Sequence, residues 1–236
     1  MDKGALYIIS TPIGNLEDIA VRAIKTIFSV DYLLCEDTRT TGILLTEIQK
    51  RYTSLIPLSF KKPVLIPYYD EVENTKAPEV INHLLDGKNC GLISENGTPL
   101  ISDPGFVVVR EAIRRNIKVI PIPGPTAAIT ALSISGLPVH NFYFGGYLPK
   151  KQNKRLKFIK SLLLCFETLE HKPTLIFYET PHRLNQTLTD LINVVGDKHI
   201  VICRELTKIH EEIFRGTISE AITHFSQPKG EFVILF

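Results

Sequence analysis

The chain has 236 residues, of which 44% are hydrophobic, 22% charged and 8% aromatic, an ordinary globular make-up that excludes a collagen-like, coiled-coil or disordered protein. That length admits one large α/β domain or two compact ones. With 27 basic against 25 acidic residues the formal charge is only +2, which on its face argues against a nucleic-acid partner. Cys35, Cys90, Cys165 and Cys203 lie far apart, with no CxxC pair and no His at ligand spacing. No metal site is therefore expected, and Cys35, Cys90 and Cys203 read as small core residues of a protein in a reducing compartment. No basic segment precedes an apolar one at the N-terminus, and no apolar run approaches the roughly 18 residues of a membrane span. A cytoplasmic protein without a membrane partner is expected.

Short β-branched runs alternate with amphipathic stretches along the chain. Residues 5–10 form an apolar run of strand length. Asn15 follows as the N-cap of a helix through about Phe28, with Glu17 and Asp18 in its positive first turn. Next come a strand at 32–36 and a helix at 40–50. After a proline-rich passage, 65–69 reads as extended and 77–86 as a helix stopped by Gly87. Residues 90–94 are a buried strand, 106–115 a helix and 117–122 a strand. The alternation resumes after Pro121-Ile122-Pro123-Gly124-Pro125, with a helix at 126–135, a strand at 141–145, a helix at 154–170 and a strand at 174–178. Thr180-Pro181 opens a helix closing at Gly196. Strands follow at 199–204, 212–215 and 231–236, with a helix at 218–225. The fold class expected is α/β, with mostly parallel or mixed sheets in two domains, 1–122 and 123–236. One continuous sheet is the alternative.

Three loops follow predicted strands where helices begin, the place at which open α/β sheets bind ligands. They are Thr11-Pro12-Ile13-Gly14-Asn15, the long polar loop at 94–105, and Pro123-Gly124-Pro125-Thr126-Ala127-Ala128. The first has one glycine and is as compatible with a structural turn as with a ligand loop. The second is far longer than its connection needs and offers backbone N–H groups and small hydroxyls at close range. Acids and bases also crowd three strand ends: Glu36-Asp37-Thr38-Arg39, Tyr178-Glu179-Thr180-Pro181-His182-Arg183 and Arg204-Glu205-Leu206-Thr207-Lys208. Ion-paired helix caps would explain any one of these, whereas three at equivalent places suggest a shared cleft. His182, just after a proline at a helix start, suits capping or packing better than base catalysis.

These loops, with Ser135-Gly136-Leu137-Pro138 and Gly230-Glu231-Phe232, follow one family in order over essentially the full length. The chain resembles the ribosomal RNA small-subunit methyltransferase I group of the tetrapyrrole methylase superfamily. The resemblance implies two α/β domains with S-adenosylmethionine (AdoMet) in the cleft between them, usually in a homodimer, and 2′-O-methylation of a cytidine ribose in the decoding region of small-subunit (16S) rRNA. It implies that Pro12 and Gly14 lie near the methionine end of the cofactor, that Gly97, Thr98 and Ile101 line it, and that Thr126 and Ala127 close over it. A ribose hydroxyl is a poor nucleophile, so its proton needs an acceptor; Glu36, Asp37 and Arg39 are the candidates for that region. Two departures stand out. The group usually has Ser-Asp-Ala-Gly-Thr-Pro where this chain has Ser94-Glu95-Asn96-Gly97-Thr98-Pro99, and many members continue past the final strand whereas this sequence stops at Phe236. Methylation of a small tetrapyrrole, and an RNA-binding or ribosome-assembly role with impaired cofactor binding, are the rival readings.

The net charge of +2 averages over unlike regions. Residues 112–166 hold nine of the basic residues and no Asp or Glu. Six of the nine crowd into 150–160, beside Tyr147 and Phe158. Lys150, Lys151, Lys154 and Arg155, with Arg183, are the expected RNA contacts; a merely solvated helix face is the alternative.

Overall fold

The computed structural model describes residues 2–56 and 60–236; part of the proline-rich passage, residues 57–59, lies outside them. The chain divides into two compact units, Met1–Thr126 and Ala127–Phe236, so residues 123–126 go with the first. In unit 1 the elements run β1 (Ala5–Ile9), α1 (Val21–Ile27), β2 (Tyr32–Cys35), α2 (Thr38–Arg51), β3 (Val64–Pro67), α3 (Glu73–Leu85), β4 (Cys90–Leu92), α4 (Phe106–Arg114) and β5 (Lys118–Ile122). The five strands form one sheet in the order β3-β2-β4-β1-β5, parallel at every pairing. A parallel sheet needs cover on both faces. Here α1 and α2 bury Ala23, Ile24, Ile27, Leu45 and Ile48 with Ile9, Leu33 and Ile122. On the opposite face α3 and α4 bury Val80, Leu84, Val108 and Ala112 with Leu6, Leu34 and Leu92. Successive strand residues Leu33 and Leu34 thus serve different cores, which is the period of two at work.

Unit 2 comprises α5 (Ala127–Ser135), β6 (Phe142–Tyr147), α6 (Gln152–Phe166), β7 (Thr174–Glu179), α7 (Pro181–Val195), β8 (His199–Arg204), β9 (Glu212–Thr217), α8 (Ile218–His224) and β10 (Phe232–Leu235). Its sheet, ordered β6-β7-β10-β8-β9, is mixed: β6 and β7 are parallel, while β10 runs antiparallel between β7 and β8, and β9 antiparallel to β8. Leu184, Leu188, Leu191, Ile159 and Ile218 from its helices meet Phe177, Ile202 and Ile234 in one core. The fold is therefore α/β with one parallel and one mixed sheet.

Two helix starts differ from the sequence expectation. Asn15 caps only a single 3-10 turn at Leu16–Asp18, accepting the Glu17 N–H; Ile19 and Ala20 are extended and α1 starts at Val21. Ile19 is buried in the core, and packing it there interrupts the helix that the capping pattern favours. Helix α3 begins at Glu73, a turn ahead of Ala77, and accommodates Pro78. Glu73 is drawn into the fold by backbone N–H groups more than 30 residues away, a tertiary bond that local propensity does not encode.

Phe177 is fully buried and makes no contact with solvent. Phe177→Ala is expected to destabilise the protein by about 3–5 kcal/mol, read as a lowered midpoint in urea unfolding.

Candidate active site

In the strand order of unit 1, β1 leads out toward β2 on one side and β4 toward β5 on the other. Each connection passes the other strand, and the two leave to opposite faces of the sheet, α1 on one and α4 on the other, beside the carboxyl ends where such sheets bind ligands. The loops there are tied together. Thr11, with no exposure, donates its N–H to Gly97 O at 2.8 Å. Its hydroxyl shares a donated bond between Ser94 O at 3.1 Å and Gly97 O at 3.3 Å, and accepts the Gly97 N–H at 3.1 Å. The Ser10 and Thr98 hydroxyls are 3.0 Å apart, and Thr98 donates to Pro125 O at 2.9 Å. Gly97 at φ +88 allows this approach: a Cβ there would stand 3.0 Å from Ile13 Cγ2 and 3.3 Å from Pro125 O.

The far end of the β4 loop is held differently. Helix α4 begins after Gly105, which has no side chain to cap it. Glu73 supplies the cap from α3, its carboxylate accepting the N–H groups of Gly105 at 2.8 Å and Val107 at 2.9 Å. Between the two anchors Leu100 and Ser102 both sit at φ +70, a conformation that costs non-glycine residues energy and concentrates at functional sites. Pro12, Gly14, Ser94, Glu95 and Asn96 line a pocket of about 330 Å³ against Thr40 and Leu44 of α2. Both departures from the family pattern, Glu95 and Asn96, are exposed.

The carboxylates here repel one another. Burial and the nearby charge of Glu36, with smaller contributions from Asp70 and Glu95, push the Asp103 carboxyl up to about 7, and an interaction with Ser94 offsets only part of this. Glu36 is also raised, by its own burial and by Glu95 and Asp70. Asp37 behaves oppositely. It caps α2, accepting the N–H groups of Arg39 at 2.7 Å and Thr40 at 3.4 Å, and pairs with the Arg39 guanidinium at 2.7 Å. The bonds to Arg39 hold its carboxyl well below the usual range. Of the three residues named from sequence, Glu36 alone turns into the acidic group, while Asp37 and Arg39 form the local cap pair that sequence could not exclude. Asp103 and Glu73 were not singled out; the only signal for Asp103 was a carboxylate in Ser102-Asp103-Pro104-Gly105 after a buried strand.

Pro12, Gly14, Gly97 and Thr98 come together on the β1 and β4 loops, whereas Ile101 stands on the exposed arm of the β4 loop. Thr126 and Ala127 flank the boundary between the units. In unit 2, Lys150, Lys151, Lys154, Lys157 and Lys160 are exposed and, among the described residues, make no ion pair. The sequence expectation for Arg155 is corrected: its side chain is 3% exposed and pairs with the fully buried Asp190, so it does not join the basic surface. Arg183 is also turned inward, toward buried Glu179 at 3.3 Å and Leu148 O at 2.6 Å. Glu179 further accepts from Thr187 at 2.6 Å. Glu205 and Glu231 hold Lys208. Glu179 and Arg204 do share one end of the sheet, flanking Phe232, but their acids and bases are spent on local ties. Among the described residues no group of His, Cys, Asp or Glu is arranged to hold a metal ion, and no helix is long and apolar enough to cross a membrane.

Similarity to known proteins is extensive. The sequence profile of the Tetrapyrrole (Corrin/Porphyrin) Methylases matches residues 5–222. Among solved structures, the methyltransferase CobJ aligns over 98% of this chain and 93% of its own with a TM-score of 0.68 at 15% identity. The uroporphyrin-III C-methyl transferase of Thermus thermophilus, complexed with S-adenyl homocysteine, covers 98% and 97% with a TM-score of 0.62 at 16% identity. These define the class: the two-unit α/β fold of the tetrapyrrole methylases. The ribosomal RNA small subunit methyltransferase I of Halalkalibacterium halodurans is 44% identical over 99% of this chain and 76% of its own length. The protein of the same name from Thermotoga maritima is 40% identical over 98% and 97%. The chain belongs to the tetrapyrrole methylase family and, within it, to the ribosomal RNA small subunit methyltransferase I group.

The raised Asp103 carboxyl makes stability depend on pH. The unfolded chain releases this proton near the ordinary value of 3.8, the folded protein only near 7. Across that window the native state binds more protons, so this group's contribution falls as pH rises and is fully lost above about 7. Asp103→Asn is expected to match the native protein at pH 4 and to exceed it in stability at pH 8, measured by urea unfolding at both.

Proposed function

We propose that the chain transfers the methyl group of S-adenosylmethionine to small-subunit (16S) rRNA, at the 2′-oxygen of a cytidine ribose in the decoding region, as a homodimer in the cytoplasm. The observation that carries the substrate is the 44% identity, over 99% of the chain, to a protein named for small-subunit rRNA methylation. The cofactor has a sulfonium, an ammonium and one carboxylate, a net positive charge. Glu36, Asp70, Glu95 and Asp103 give the β1 and β4 loops a negative field suited to it. When bound, the cofactor supplies an electrophilic methyl group. The chain's own residues must orient it and accept the proton of the hydroxyl. Asp103, pushed up to about 7, suits the second task better than Asp37 or Arg39, because a carboxyl that titrates near neutrality is matched to general-base work, and Glu36, raised by burial, is the second candidate. Thr11, Gly97 and Glu73 suit the first, since they hold the loops in place before any ligand arrives.

The RNA side is supported by α6. Lys151, Lys154, Lys157 and Lys160 recur every three residues along its exposed face, Lys150 precedes them, and its first turn has neither an acidic residue nor a side-chain cap. Half-exposed Tyr147 adjoins them. Such a row tracks phosphates and makes binding salt-dependent.

Small subunits from cells lacking this methyltransferase, incubated with the protein and AdoMet, are expected to gain one ribose methyl group at a decoding-region cytidine, read by mass spectrometry of nuclease fragments. Methylation of a base, or of no RNA, overturns the reading. Glu95 and Asn96 favour the rival of a factor with impaired cofactor binding, and calorimetry decides: AdoMet should bind measurably, and its failure to do so sinks the enzyme reading. Lys150→Ala/Lys151→Ala/Lys154→Ala is expected to weaken RNA binding and to lower the slope of log affinity against log salt by about one per lysine, with AdoMet binding unchanged.

A further inference from the structure

We infer that the buried Arg155–Asp190 pair is a positioning device for RNA, which fixes the loop between β6 and α6 so that Tyr147, Lys150 and Lys151 are presented in one arrangement. The inference rests on the reading of this surface as the RNA contact.

Three successive carbonyls of that loop are held from inside. Leu148 O accepts from Arg183 Nη2 at 2.6 Å. Pro149 O and Lys150 O both accept from Arg155 Nη1 at 3.1 Å. The remaining donors of Arg155, Nε and Nη2, go to Asp190 Oδ2, the first at 2.7 Å. The other oxygen of Asp190 accepts from Gln152 Nε2 at 2.8 Å and Gln186 Nε2 at 3.2 Å. Gln152 is the first residue of α6, so the same carboxylate pins the guanidinium and the start of the lysine-bearing helix. Every group in this network is on α6, α7 or the loop itself, and the Arg155–Asp190 pair at its centre is buried rather than turned to solvent as a phosphate ligand would be.

A buried ion pair is a poor means of adding stability, because desolvation cancels most of its attraction and apolar residues of similar volume do as well. An apolar pair would fill this space but could not take two consecutive carbonyls. Only a planar fork of five donors holds Asp190 and both carbonyls together. With the Leu148, Pro149 and Lys150 carbonyls turned inward, the exposed Lys150 and Lys151 side chains stand on a loop whose ordering is complete before RNA arrives.

The test uses the full-length enzyme with small subunits as substrate, comparing the native protein with Arg155→Met/Asp190→Leu, with Arg155→Lys, and with the triple lysine variant. Replacing both partners by apolar residues is expected to leave folding intact, with AdoMet affinity and kcat unchanged and KM for the subunit raised about tenfold by the loosened loop. The salt slope of binding is expected to stay native, since no phosphate contact is removed. A native KM in the folded double variant overturns the inference, because the pair then only fills space. A salt slope lowered by about one also overturns it, because Arg155 is then itself a contact. Should the double variant not fold, Arg155→Lys decides: its single ammonium retains the charge but not the fork, so a raised KM upholds the inference and a native KM overturns it. If the triple lysine variant binds RNA like the native protein, the surface reading falls and the inference with it. If that variant weakens binding while the Arg155 variants do not, the inference alone falls.

Discussion

The Thr11 hydroxyl sits where two parallel strands release the chain in opposite directions, and both loops depend on it. Fully buried, it accepts the Gly97 N–H and donates to the carbonyls of Ser94 and Gly97, while its backbone N–H makes a further bond to Gly97. A buried backbone group without a partner is costly, and this one side chain satisfies the Gly97 N–H and the Ser94 and Gly97 carbonyls where the long irregular loop meets the sheet. Gly97 must lack a Cβ for that contact to close. With its near end fixed by Thr11 and its far end by Glu73, the loop can keep Leu100 and Ser102 in strained conformations.

Charge is arranged by unit rather than by average. The carboxyl end of the first sheet gathers acids closely enough that burial and mutual repulsion raise Asp103 and Glu36, which suits a cation and a proton-accepting role. Helix α6 in the second unit carries lysines that, among the described residues, make no ion pair, which suits a polyanion. The near-neutral total averages over such unlike surfaces, and of the two the second is the one suited to a phosphate-rich partner.

Much of the fold was legible because its signals are local. The apolar runs of β1, β4 and β8, the Asp37 cap of α2, Pro181 at the start of α7 and Gly196 at its end each act within a few residues. The helix starts that failed, at Val21 and Glu73, were moved by long-range demands, the burial of Ile19 in one case and the capping of α4 in the other. The site was legible as loops but not as groups. Pro12, Gly14, Gly97 and Thr98 were named through the family resemblance, whereas the residues alone pointed only to the loops, and most to 94–105, because a loop that long after a buried strand needs a reason. Asp103 was passed over because a carboxyl's displacement depends on neighbours that sequence does not bring together.

The sequence by itself determined the periodicity, the two α/β units and the loops on which ligands would sit, since hydrophobic pattern and capping chemistry are short-range properties of the chain. It also carried the family motifs. Only the tertiary structure decided which charged residues face outward. Arg155 and Lys154 are neighbours on one helix with the same formal charge, yet one is spent on Asp190 and two carbonyls while the other stands in solvent. That difference arises because a helix turns each successive side chain by about 100°, and only the packing of α6 against α7 assigns the inward direction to Arg155.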